Sequence, residues 1–294
     1  MPKIIILSTL IFIISIGLSY LLPVIYQDIV GFLLILSIGV IHGANDLLII
    51  KKYTRKDTLK SQINYFLYYL GLVFLGFLFF YAFPSIALLS FVLVSIYHFG
   101  EQHWESSSFN TNLYKRKKIF PIIMHGSTFF LVIFINNIDV VNDVLASFNS
   151  IFLDYFVLEI LLIILFSIYM LMLLSFELFR RYFIGEFLFF FLLYFLTMNS
   201  TLIYGFSVYF IFFHSILSIK DQVSYIYEDD KSQYIKKYLI NALPYFLLAL
   251  FFLVGFYLIV DIESINIIPI IFTFLAAITF PHVIVIEKMY STMK

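Results

Sequence analysis

Apolar residues gather along this chain in long runs broken by short charged or turn-forming stretches, and ten such runs can be delimited. They span Ile4 to Leu22, Ile29 to Ile50, Tyr65 to Ala82, Ile86 to Phe99, Ile119 to Ile135, Ile151 to Leu174, Phe183 to Met198, Thr201 to Ile219, Leu239 to Val260 and Ile267 to Ile286. Most approach the roughly 20 residues that a helix needs to cross a bilayer, so each is expected to be a transmembrane helix. Little more than Phe83, Pro84 and Ser85 separates the third run from the fourth, and proline there enforces a turn.

Loop charge tests the count independently. Lys51, Lys52, Arg55, Lys56 and Lys60 lie between runs two and three; Lys115, Arg116, Lys117 and Lys118 between four and five; Arg180 and Arg181 between six and seven. Lys220, Lys231, Lys236 and Lys237 lie between eight and nine, Lys3 precedes the first run, and Lys288 and Lys294 follow the last. All 18 basic residues thus fall on one side of a ten-span arrangement, and Asp28, Asp139, Asp143, Asp261 and Glu263 on the other. Positive loops stay inside, so both termini are expected in the cytoplasm of a multi-pass protein of the cell (inner) membrane.

Composition agrees: 63% of residues are hydrophobic and 12% charged, against about a quarter charged in soluble domains. Residues 1–294 therefore read as one integral membrane domain, an all-α polytopic helix bundle with no sizeable soluble part. The first run lacks a small-residue cleavage site and reads as a retained span. Zero net charge and scattered basic clusters make nucleic acid an unexpected partner, and membrane lipid the expected one. With no cysteine, thiolate metal sites and cysteine nucleophiles are excluded. No phosphate loop or nucleophile elbow is present.

The chemistry must then come from histidines. On continuous helices His42 lies roughly 12 Å below the cytoplasmic end of span two; His98, His214 and His282 end spans four, eight and ten; His125 enters span five from the same side; His103 falls in the loop after span four. His42 and Asp46, spaced i, i+4, share a helical face, so the carboxylate can orient the imidazole of a metal ligand. Glu101 follows His98 by one turn in the same sense. A hydrogen-bonded polar pair would show the same spacing, but ionisable groups inside a membrane are expensive and usually functional. His214 alone could equally be a satisfied structural donor or a proton relay, Pro281 before His282 can kink its helix, and His103 with Trp104 could mark the interface. His125 reads as a supporting residue. Gly43, Gly100 and Gly126 beside these histidines permit close helix approach. Imidazoles from several helices with carboxylates nearby suit Fe(II); Zn, Cu, a haem, or a site of two histidines and one carboxylate remain open. The 38 phenylalanines and 22 tyrosines permit a polyene tunnel without specifying one.

His42-Gly43-Ala44-Asn45-Asp46, Tyr97-His98-Phe99-Gly100, Phe213-His214-Ser215 and Pro281-His282-Val283-Ile284-Val285, in this order and spacing, resemble the Brp/Blh family of membrane β-carotene 15,15′-dioxygenases. That resemblance implies an iron-dependent enzyme cleaving β-carotene, or a related carotenoid, with dioxygen at the central double bond to give retinal, often for a microbial rhodopsin. It implies that His42, His98 and His214 are catalytic iron ligands, with Asp46 and Glu101 orienting them. Where relatives carry a second histidine one turn after the one matching His214, this chain has Ser218. His282, His103 or water then completes the iron shell, and His282 is the expected fourth ligand. Two rivals stand beside this reading: a catalytically silent carotenoid- or retinal-binding relative, and a membrane transporter relaying protons through His42, Asp46 and His214.

Overall fold

A computed structural model describes residues 2–55, 58–105, 119–228, 232–259 and 267–293. The basic residues Lys56, Lys115, Arg116, Lys117, Lys118, Lys231 and Lys294 and the acidic Asp261 and Glu263 lie outside the described residues. Every regular element among the described residues is a helix. In order they are α1 (Pro2–Leu21), α2 (Val24–Leu34), a π segment (Ile35–Gly39), α3 (Asp46–Thr54), α4 (Leu59–Ala82), α5 (Pro84–Glu105), α6 (Ile119–Asn136), α7 (Ile138–Ser147) and α8 (Tyr155–Ser175). There follow α9 (Glu177–Arg180), α10 (Phe183–Met198), α11 (Leu202–Tyr209), a second π segment (Phe210–Ser215), α12 (Ile216–Tyr227), α13 (Ser232–Ile259) and α14 (Ile267–Thr292).

Among the described residues, seven helical stretches are long and apolar enough to cross a membrane: Leu59–Ala82, Pro84–Glu105, Ile119–Asn136, Tyr155–Ser175, Leu202–Tyr227, Gln233–Leu258 and Ile268–Thr292. Shorter apolar helices, Ile6–Leu21, Val24–Gly39 and Phe183–Met198, occupy the remaining three runs. Local chemistry sets several ends. Pro84 opens α5, where its missing N–H costs nothing. Asp154 caps α8 by accepting from the Val157 N–H at 3.0 Å, so that helix starts four residues later than its apolar run. Thr201 caps α11 by accepting from the Tyr204 N–H at 3.2 Å.

Two expectations need correction. The second apolar run is not one helix: residues 42–45 form a turn between the first π segment and α3, so the depth assigned to His42 on a continuous helix does not hold. The fourth helix does not stop at Phe99 but continues to Glu105, so His103 is helical rather than in a loop.

The chain forms two compact units. The first comprises Met1–Ile35, Ser95–Asp143 and Ile151–His214. Here α6 packs on α8 and α10, α1 on α10, and α11 on α2. Gly100 and Gly126 let α5 and α6 meet backbone to backbone: a Cβ on Gly100 would run into the Ile122 carbonyl, and one on Gly126 into the Ile96 carbonyl. Phe12 lies against Phe189 (5.2 Å, edge-on) and Phe213 (4.8 Å, stacked). Buried Gln27 ties the α1–α2 turn to the start of α11, donating to Ser19 O at 2.9 Å and accepting from the Thr201 N–H at 3.0 Å.

The second unit comprises Leu36–Val94, Val144–Ser150 and Ser215–Lys294. Helix α14 packs along α4 and α3. One apolar cluster joins Phe80, Ala87, Phe91, Phe148 and Ala276; another joins Ile49, Ile50, Ile286 and Met289. Lys52 pairs with Glu228 and holds that exposed carboxyl below its ordinary range, linking the ends of α3 and α12. Helix α13 turns apolar side chains such as Phe251 (71% exposed) and Leu258 (68%) outward, the surface expected against lipid.

Candidate functional site

In the first unit, α5 supplies His98 and the second π segment supplies His214. Their rings lie 4.7 Å apart, edge to face, and both residues are 1% exposed. Phe210 stacks on His214 at 5.5 Å and 13°, and Phe99 approaches it at 4.6 Å. The pair is thus set in an aromatic wall. A π segment adds a residue to the turn and re-aims the side chains that follow, a departure from α geometry found frequently at functional sites. Glu101, expected to orient a ligand, is buried and accepts from Tyr97 Oη at 3.0 Å.

In the second unit, the turn after the first π segment presents His42, and α14 presents His282, with ring centroids 4.7 Å apart and nearly perpendicular. The His42 Nδ1 contacts the Gly39 carbonyl, a backbone acceptor released where the helix breaks. Its own carbonyl is held by two donors, Gln222 Nε2 at 2.8 Å and Tyr238 Oη at 3.2 Å, and Tyr238 Oη also reaches Gln222 Oε1 at 2.8 Å. Buried non-helical backbone needs such partners. Asp46 does not share a continuous helical face with His42, since residues 42–45 form a turn. Because the turn intervenes, its carboxylate instead meets His282 Nδ1, at 2.9 and 3.0 Å, and accepts from Tyr69 Oη at 2.8 Å. Gly43 is also not a close-approach glycine, since a Cβ there would stand in ordinary contact with the His282 ring, 3.5 Å away. Ser218 is buried and accepts from Gln222 Nε2 at 3.0 Å, so it serves the network behind His42. Ser215 Oγ, one residue past His214 in the chain, lies 3.4 Å from His42 Nδ1.

His103 and His125 form a third group, wholly within the first unit. His103 Nε2 is 2.6 Å from Glu186 Oε1 and His125 Nδ1 is 2.9 Å from Glu186 Oε2, with the two rings stacked at 3.8 Å. His103, a candidate for the fourth iron ligand, is therefore engaged by Glu186; five positions past His98 it points about 140° away around the same helix. His125, expected as a supporting residue, is buried and faces this carboxylate. Glu186 escaped the sequence reading although it was detectable there, as a lone carboxylate in the apolar run Phe183 to Met198.

The family model for β-carotene 15,15′-dioxygenase matches residues 33–290, from α2 to α14. The chain belongs to this dioxygenase family. No curated protein and no solved structure matches the chain.

Each unit's histidine pair, His98 with His214 and His42 with His282, offers buried imidazoles of the kind a borderline divalent ion takes. His42, His98, His214 and His282 are all at most 6% exposed, and no cysteine competes. The contacts at Nδ1, of His42 with Gly39 O and of His282 with Asp46, orient the two rings in the way that groups behind metal-bound histidines do. All-imidazole donor sets suit Fe, Zn and Cu.

Proposed function

We propose that this dioxygenase-family protein is an iron-dependent enzyme of the cell membrane, with about ten spans and both termini cytoplasmic. It takes β-carotene or a close relative from the bilayer and splits the central double bond, one carotene and one dioxygen giving two retinals. His42, His98 and His214 hold Fe(II), with His282 as fourth ligand. The observation that carries the reading is the pair of buried histidines on each unit, His98 with His214 and His42 with His282, in a chain whose family acts on β-carotene.

Bound iron supplies the redox chemistry that lets dioxygen react with a closed-shell polyene. The protein's own residues do the rest. Gly39 O and Asp46 keep the His42 and His282 rings in one tautomer and orientation, Gln222 and Tyr238 hold the backbone that carries His42, and Glu101 stands one turn beyond His98. Phe99 and Phe210 keep water from the His98–His214 pair and offer flat apolar surface to a polyene. Retinal, still mostly hydrocarbon but now ending in an aldehyde, leaves into lipid or to a retinal-binding rhodopsin.

Ser218 favours a second reading, a relative that binds carotenoid without cleaving it. Purified protein reconstituted with Fe(II), β-carotene and dioxygen separates the two. The first reading expects two retinals per carotene consumed and no cleavage in His98→Ala or His214→Ala proteins, which also carry less iron. Carotenoid that co-purifies and stays intact with iron bound contradicts it.

A further inference from the structure

We propose that His103, His125 and Glu186 form a second divalent-metal site of the Zn(II) or Fe(II) class, separate from the histidines assigned to carotene cleavage. One donor atom from each residue can be chosen so that all lie within 4.8 Å of one another. His103 comes from α5, His125 from α6 and Glu186 from α10, so an ion here would clamp three helices of the first unit. The positions are fixed by packing that is independent of any ion. Gly126 is next to His125 and Gly100 one turn before His103, and the backbone contact at these glycines is what brings the two rings into a stack at 3.8 Å and 16°. The stacked rings turn His103 Nε2 and His125 Nδ1 toward opposite oxygens of one carboxylate.

The donor set is two nitrogens and one oxygen, which zinc and non-haem Fe(II) favour, with open positions for water. Metal–donor bonds of about 2.0–2.2 Å require donors roughly 3–3.5 Å apart, so only a small opening of the 2.6 and 2.9 Å contacts admits an ion. Groups behind the ligands already hold them: Tyr169 Oη donates to Glu186 Oε2 at 2.9 Å, and His125 Nε2 lies 3.3 Å from Tyr209 Oη. Ligands of structural and catalytic metals are oriented in this way. A buried carboxylate in an apolar helix also needs a compensating positive charge, and a divalent cation between it and two neutral imidazoles provides one.

The test uses the full chain in detergent, stripped with chelator and titrated with Zn(II) and with Co(II). The second site predicts that Glu186→Gln removes one equivalent of bound metal, and that a His98→Ala/His214→Ala protein still binds Co(II) with visible absorption that Zn(II) abolishes. Loss of the carotene-cleavage site alone would remove the other equivalent and leave this one, so the two assignments fail separately. On the unaltered chain, a structure determined with saturating Zn(II) should show the ion bonded to His103, His125 and Glu186. Equal metal content in wild type and Glu186→Gln, or no ion at the triad in the saturated wild-type structure, overturns the proposal and leaves a hydrogen-bonded cluster.

Discussion

Asp46 shows what residue spacing can and cannot say. Its distance from His42 in sequence was right for a ligand and its orienting carboxylate, and the carboxylate does orient a histidine, but the ring is His282 on another helix. The error lies in assuming helix through residues 42–45, where Gly43, Ala44 and Asn45 gave no proline or charge to mark the break. Asp46→Ala is expected to leave Nδ1 of His282 and the Tyr69 hydroxyl without their acceptor and to lower iron affinity about 10–100-fold. Iron titration of the folded variant measures this, and an unchanged affinity removes Asp46 from the site. His282→Ala should be as damaging to cleavage as His42→Ala, with Ser218→His restoring part of the activity. If His282→Ala keeps normal iron content and rate, His282 is not a ligand and water takes its place.

At the level of helices, hydropathy located the apolar runs well because lipid-facing positions dominate them; α10 has the ends the sequence predicted. It failed where polar side chains are buried against protein. Glu101, Gln102 and His103 look like the start of a loop, yet the first two are at most 5% exposed and all three are helical, so α5 runs on beyond Phe99. The π segments left no trace in the sequence, since π and α turns draw on the same residues. The glycines were more informative. Gly100 and Gly126 were read as permitting close approach, and α5 and α6 do meet through them. Adding a methyl at either position forces the two backbones apart, so Gly100→Ala and Gly126→Ala should each destabilise the protein by about 1–3 kcal/mol. Thermal unfolding in detergent reads the effect; a melting temperature equal to wild type for both would mean the helices do not touch there.

For the whole molecule, the expected topology rests on the segregation of 18 basic residues to alternate intervals between the apolar runs, and seven of these residues lie outside the described residues. A reporter fused after Lys294 should be active only when it is of a kind that works in the cytoplasm; activity restricted to the outside reverses the orientation and the common side assigned to the histidines. The family was legible because four short motifs fall in order, each weak alone. The chemistry of this member turns on Ser218, where the order of motifs gives no answer and the serine is engaged by Gln222. The most direct measurement is expression of the wild-type chain in a host that makes β-carotene, with chromatography of the extracted pigments. β-Carotene should fall and retinal, or the retinol and retinoate made from it, accumulate, while the His98→Ala/His214→Ala chain, present in membranes at the same level, should leave the carotene intact. Undiminished β-carotene with no retinoid, in cells whose membranes hold the folded wild-type protein, would contradict the proposed cleavage.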